Sequence, residues 1–103
     1  MRPIDILPKD LEIVRAIVCR FALGKEVRAF GSRTSGNARR HSDLDLVIMT
    51  EQPLDVVVLA KMTEAFSDSA LPFKVDVLDW ASLEENFRRL ILEGSIVIQG
   101  SSR

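Results

Sequence analysis

Apolar positions along this chain change rhythm several times, and each change predicts an element. From residue 8 to residue 23, Leu11, Val14, Val18 and Phe21 recur at helical spacing, and Ile13 and Ile17 widen the stripe into a packing face. Pro8 or Asp10 opens that helix and Gly24 stops it. Cys19 and Ala22 sit among these residues and are expected to be inert packing. Residues 26–30, "EVRAF", predict a short strand ended by Gly31, and after a basic, polar connection residues 44–49, "LDLVIM", give the clearest buried strand. Residues 54–66 return to helical spacing, although the β-branched run Val56, Val57 and Val58 costs helix propensity. Part of that stripe, with Leu59 and Met62, could form an apolar contact, but internal packing is the expected role.

The segment "SDSALP" breaks the chain before residues 73–79, "FKVDVLD", which alternate as a strand does. Residues 83–92 make a second amphipathic helix with Leu83, Phe87, Leu90 and Ile91 on one side. Gly94 ends it, and "SIVIQ" adds an edge strand. The expected order is helix, strand, loop, strand, helix, strand, helix, short strand. One α+β domain spanning residues 1–103, with a core at about 10–98, accommodates all of it.

Composition narrows the function classes. With 103 residues the chain can carry a modest core but not a second domain with its own substrate pocket. The net charge is only -1 at pH 7, so nothing global attracts a polyanion, and direct nucleic-acid binding is not expected. One cysteine excludes an internal disulfide framework and multi-cysteine metal sites. No apolar run approaches membrane-spanning length, and a cytoplasmic protein that makes no membrane contact is expected.

Asp43 and Asp45 are the strongest chemical signal. Side chains on a strand repeat with period two, so these carboxylates point to one side while Leu44 and Leu46 point to the core. Two carboxylates sharing a face repel, and a proton, a basic partner or a divalent cation compensates. Mg²⁺, with Mn²⁺ as a substitute, suits oxygen ligands and keeps positions for water and phosphate. Asp76, between Val75 and Val77, supplies a third oxygen ligand if the two strands are neighbours. The plainer alternatives are that Asp43 merely begins the strand or caps a turn and that Asp76 is solvated; Asp79 reads as a turn or capping residue.

Gly31 and Ser32 directly follow a strand, where glycine allows a tight turn and close backbone approach by a ligand. If a short helix starts there, its free amides and the serine hydroxyl can hold a terminal phosphate. An ordinary turn is the alternative. Arg33, Arg39, Arg40 and His41 add a basic surface, with Arg33 and Arg40 the preferred pair for clamping phosphate oxygens.

This combination resembles the catalytic signature of the nucleotidyltransferase superfamily that includes DNA polymerase beta, and more closely the minimal nucleotidyltransferases of bacteria and archaea. Gly31 and Ser32 match the glycine-serine motif, Asp43 and Asp45 match the paired metal ligands after ten intervening residues, and Asp76 in "VDVLD" matches the third carboxylate. The resemblance implies a polymerase beta-like fold, a small mixed sheet packed against helices. It also implies Mg²⁺-dependent transfer of a nucleoside monophosphate, commonly AMP from ATP, to an acceptor hydroxyl. In that scheme Ser32 and nearby amides hold the β- and γ-phosphates, Asp43 and Asp45 bind the metal, and Asp76 helps a second metal and promotes deprotonation of the acceptor. Related proteins are often encoded with a small helical partner of the HEPN group, in some pairs as antitoxin and toxin, which implies a hetero-oligomer or a homo-oligomer. The alternative reading is a noncatalytic nucleotide-binding or toxin-neutralising subunit.

Overall fold

A computed structural model describes residues 4–36, 38–39 and 42–102. The elements are α1 (Pro8–Phe21), β1 (Val27–Phe30), α2 (Ser32–Ser35), β2 (Leu44–Ile48), α3 (Val56–Ser67), β3 (Val75–Asp79), α4 (Glu85–Glu93) and β4 (Ser95–Gln99). The expected elements are all present, with ends shifted by one or two residues. A one-turn 3-10 segment at Trp80–Ser82 was not anticipated.

The four strands form one sheet in the order β3-β2-β1-β4. β1 runs antiparallel to both β2 and β4, whereas β2 and β3 are parallel. A parallel pair cannot be closed by a hairpin, and α3 is the crossover that makes it possible. The sheet is therefore mixed, and "SIVIQ" lies at an edge as expected.

Alternation divides the sheet into two faces. Val27, Ala29, Leu44, Leu46 and Ile48, each without solvent exposure, join Val14 and Val18 of α1 and Met62 and Phe66 of α3 in one core. Burying each of these side chains larger than alanine contributes about 1.5–3 kcal/mol, so this face dominates the fold's stability. The opposite face carries Arg28 and Phe30 on β1, Asp45 on β2, and Asp76 and Leu78 on β3, all only partly buried.

The valine run in α3 divides. Val56 is 79% exposed and Val57 59%, in a first turn capped by the Asp55 carboxylate, which accepts from the Val57 amide at 2.7 Å. Met62 and Phe66 do the internal packing. Two expectations fail on helical geometry. Cys19 is exposed because one residue beyond Val18 turns it about 100° off the buried stripe. Leu90 is 65% exposed, and it is Ile91 that α4 buries. Among the described residues no helix is long and apolar enough to cross a membrane.

Candidate active site

The site begins at the turn after β1. Gly31 has φ 88° and ψ -157°, a backbone conformation open only to glycine. A Cβ there would meet Asp45 Oδ2 at 2.5 Å, so the missing side chain is also the space that Asp45's carboxylate fills. α2 then starts at Ser32 and lasts one turn; the Thr34 amide and hydroxyl both donate to the Gly31 carbonyl, at 3.0 and 2.9 Å.

β2 carries Asp45, and the parallel register places it directly opposite Asp76 on β3. Asp43 lies just before β2 and is exposed. Burial pushes the Asp45 carboxyl above its ordinary range, and the charges of Asp76 and then Asp43 push it further the same way. Asp76 and Asp43 therefore both act electrostatically on Asp45. Among the described residues, though, no three carboxylate, histidine or cysteine side chains are gathered closely enough to enclose a metal ion. Lys74 Nζ sits 3.3 Å from Asp76 Oδ1 and partly offsets the charge there.

A shallow cleft of about 460 Å³ opens beside Asp45 and Asp76, with Phe30, Leu78 and Phe87 in its walls. The Phe30 and Phe87 rings meet edge to face, their centroids 5.8 Å apart, which ties α4 to the face of the sheet that carries Asp45. Arg88 reinforces the tie by donating from Nε to the Trp80 carbonyl and from Nη2 to the Ala81 carbonyl.

Arg33 departs from the expectation of a phosphate clamp. Its side chain is buried, with Nε donating to the Ser42 carbonyl at 2.9 Å, Nη1 to the Asp5 carbonyl at 2.8 Å, and the guanidinium 4.2 Å above the Phe73 ring. Its donors are engaged by its own chain, so its placement fits a fastening for the basic loop. Arg40 and His41 lie outside the described residues. Asp79 is buried, and its Oδ2 accepts from the Leu54 amide at 3.0 Å and the Ser82 hydroxyl at 2.8 Å, which is the turn-fastening role its position suggested.

Sequence reasoning passed over Lys74 and gave Phe30 and Phe87 no part in the site. The period-two spacing of Lys74 and Asp76 was available as a signal for the lysine. Nothing local marked the two phenylalanines as neighbours, since they lie on elements distant in sequence.

A glycine-serine turn beside carboxylates on adjacent strands is the arrangement that the resemblance to nucleotidyltransferases implies. The chain matches the nucleotidyltransferase domain family over residues 11–100 and belongs to it. Within that family it is a minimal nucleotidyltransferase. A relative from Haemophilus influenzae, named "Probable protein adenylyltransferase MntA", is 46% identical over 96 residues, which cover 93% of this chain and 84% of that one. A solved structure described as a "putative minimal nucleotidyltransferase" is 30% identical with a TM-score of 0.66, over 85% of this chain and 88% of the other. The fold also matches a Shewanella oneidensis structure described as a tri-AMPylated HEPN toxin in complex with MNT antitoxin. That match has a TM-score of 0.67 and 16% identity, over 90% of this chain and 71% of the matched chain.

Proposed function

We propose that this chain moves AMP from ATP to a hydroxyl on a small helical HEPN-type protein, using a divalent cation held by Asp43, Asp45 and Asp76. The carrying observation is the register that sets Asp45 against Asp76 beside the turn at Gly31.

The donor set suits Mg²⁺ or Mn²⁺. It is all carboxylate oxygen, and Asp45 is held under a repulsion from Asp76 and Asp43 that a divalent cation would relieve. When bound, the cation supplies positive charge to the phosphate oxygens and favours ionisation of the attacking hydroxyl. The chain's own residues account for the rest. Ser32 and the amides after Gly31 receive the β- and γ-phosphates, and Asp76 takes the acceptor's proton. A bond forms between the acceptor oxygen and the α-phosphorus while the α–β bridge breaks, and pyrophosphate leaves. Catalysis of this kind consists of placement and charge compensation and involves no covalent protein intermediate. Arg33 fastens the loop, and Arg40 is the remaining arginine proposed for phosphate contact. A cytoplasmic location, where ATP is supplied, fits this chemistry.

The name of the Haemophilus relative and the AMPylated toxin in the Shewanella complex support AMP and a HEPN-type acceptor. The test is to co-purify the chain with a helical partner encoded beside it, add ATP and Mg²⁺, and measure intact mass. A gain on the partner corresponding to AMP, absent with Asp45→Ala although the complex still forms, supports the proposal. A complex that forms without transfer under Mg²⁺ and Mn²⁺ leaves the chain as a noncatalytic neutralising subunit.

A further inference from the structure

We infer that Lys74 is a positioning residue, a resident counter-cation that holds Asp76 in the free protein and competes with the divalent cation for the carboxylate face. The inference rests on the metal-site reading just given.

Lys74 is fixed where it acts by backbone structure. It immediately precedes β3, and its carbonyl accepts the Leu44 amide at 2.9 Å, which sets it beside the start of β2 and therefore beside Asp43 and Asp45. Strand alternation puts side chains two residues apart on one face, so Lys74 shares the face of Asp76 and of Asp45 opposite it. The ammonium reaches Asp76 Oδ1 at 3.3 Å.

Three other cations near the sheet are engaged elsewhere. Arg28 pairs with Glu26 and donates to Ser95, Arg33 is held by carbonyls, and Arg88 is held at Trp80 and Ala81. Among the described residues, Lys74 is the one cation in ion-pair contact with any of the three carboxylates.

Its hold is suited to release. The lysine side chain is 70% exposed and the Asp76 side chain 42%, so the pair is a weak, solvent-screened one rather than a buried lock. An ammonium on a flexible stem is a movable point charge, unlike the planar fork of arginine, which would grip a carboxylate with two parallel bonds. A divalent cation arriving at Asp76 meets a monovalent competitor that can swing into water. Lys74 thus keeps the carboxylate face from being fully uncompensated without nucleotide, at the expense of some affinity for the free metal ion.

The test is a charge series, Lys74→Arg, Lys74→Gln and Lys74→Glu, in the full chain without nucleotide. Mg²⁺ binding is read by calorimetry and by the shift in thermal midpoint, with Asp45→Asn and Asp76→Asn as controls. Lys74→Gln is expected to bind Mg²⁺ about three- to tenfold more tightly at low ionic strength, Lys74→Glu more tightly still, and Lys74→Arg no more tightly than the parent. The differences should shrink in about 0.5 M monovalent salt. Without Mg²⁺, Lys74→Gln should melt below the parent. If the parent binds Mg²⁺, the Asp controls lose it and the series is flat, the role of Lys74 is overturned and the metal site stands. If the parent takes up no Mg²⁺, or the Asp controls bind it equally well, the metal-site reading itself fails and this inference goes with it.

Discussion

The two faces of the sheet are made by the same strands and obey opposite rules. On one, Leu44, Leu46 and Ile48 of β2 are fully enclosed between α1, α3 and the neighbouring strands. On the other, Asp45 lies between two of those leucines in sequence and opposite another carboxylate in space. The first face lowers the free energy of the fold; the second raises it, because like charges are kept together where burial already disfavours ionisation. Aspartates themselves show the same contrast. Asp79 is buried and accepts two hydrogen bonds, whereas among the described residues nothing donates to Asp45. One carboxylate is satisfied by the fold and the other is not.

The largest effect that would sharpen this contrast is a loss of activity without loss of structure. Asp45→Asn should reduce AMP transfer to the partner by about 10²–10³-fold or more, as removal of a preorganised charge-stabilising group does, while circular dichroism stays that of the parent. Leu46→Ala, one residue away, should do the reverse. Emptying an enclosed leucine site costs about 2–5 kcal/mol, read from urea unfolding, with transfer per folded molecule little changed. Equal loss of transfer in both variants would break the division of the sheet into a structural and a chemical face.

Gly31→Ala tests the place where the two faces touch. A side chain there is strained by the positive φ and collides with Asp45 Oδ2, so a destabilisation of about 1–3 kcal/mol should accompany a loss of transfer. Asp79→Ala is expected to cost a similar 1–3 kcal/mol by leaving the Leu54 amide without its acceptor, and to leave the Mg²⁺ dependence of transfer unchanged. A changed Mg²⁺ dependence would mean that the fastened aspartate also serves the metal.

Much of this division could be read from residue order. Period-two alternation in "LDLVIM" separates Asp45 from Leu44 and Leu46, and the same pattern in "KVDVL" turns Asp76 away from Val75 and Val77. Their meeting depends on parallel pairing in register, which alternation permits but does not specify. The role of Arg33 was not legible, because its partners, Asp5, Ser42 and Phe73, come from three separate segments. Charge marks an arginine, but only the fold decides whether it meets carbonyls or solvent. Cys19 is a different kind of miss: its angle from the stripe was calculable, and apolar neighbours in sequence were mistaken for neighbours in space.

The smallest effect is also the most direct measure of the cost carried by the open face. Asp45 in the folded chain binds its proton more tightly than the unfolded value of 3.8. Over the pH interval between that value and the raised one, the folded state holds more proton than the unfolded state, so this group's contribution to stability falls as pH rises. Above the interval the penalty is fully present and constant. Asp45→Asn carries no such charge, so without divalent cation it should melt above the parent at pH 7, and the gap between them should narrow as pH is lowered toward 3.8. Mg²⁺ should narrow it at neutral pH as well, by stabilising the parent alone. Thermal melts of both proteins from pH 4 to 7, with and without Mg²⁺, measure these differences. A variant that melts below the parent at pH 7 would show that Asp45 contributes to the fold as Asp79 does, and the two kinds of aspartate would no longer be distinct.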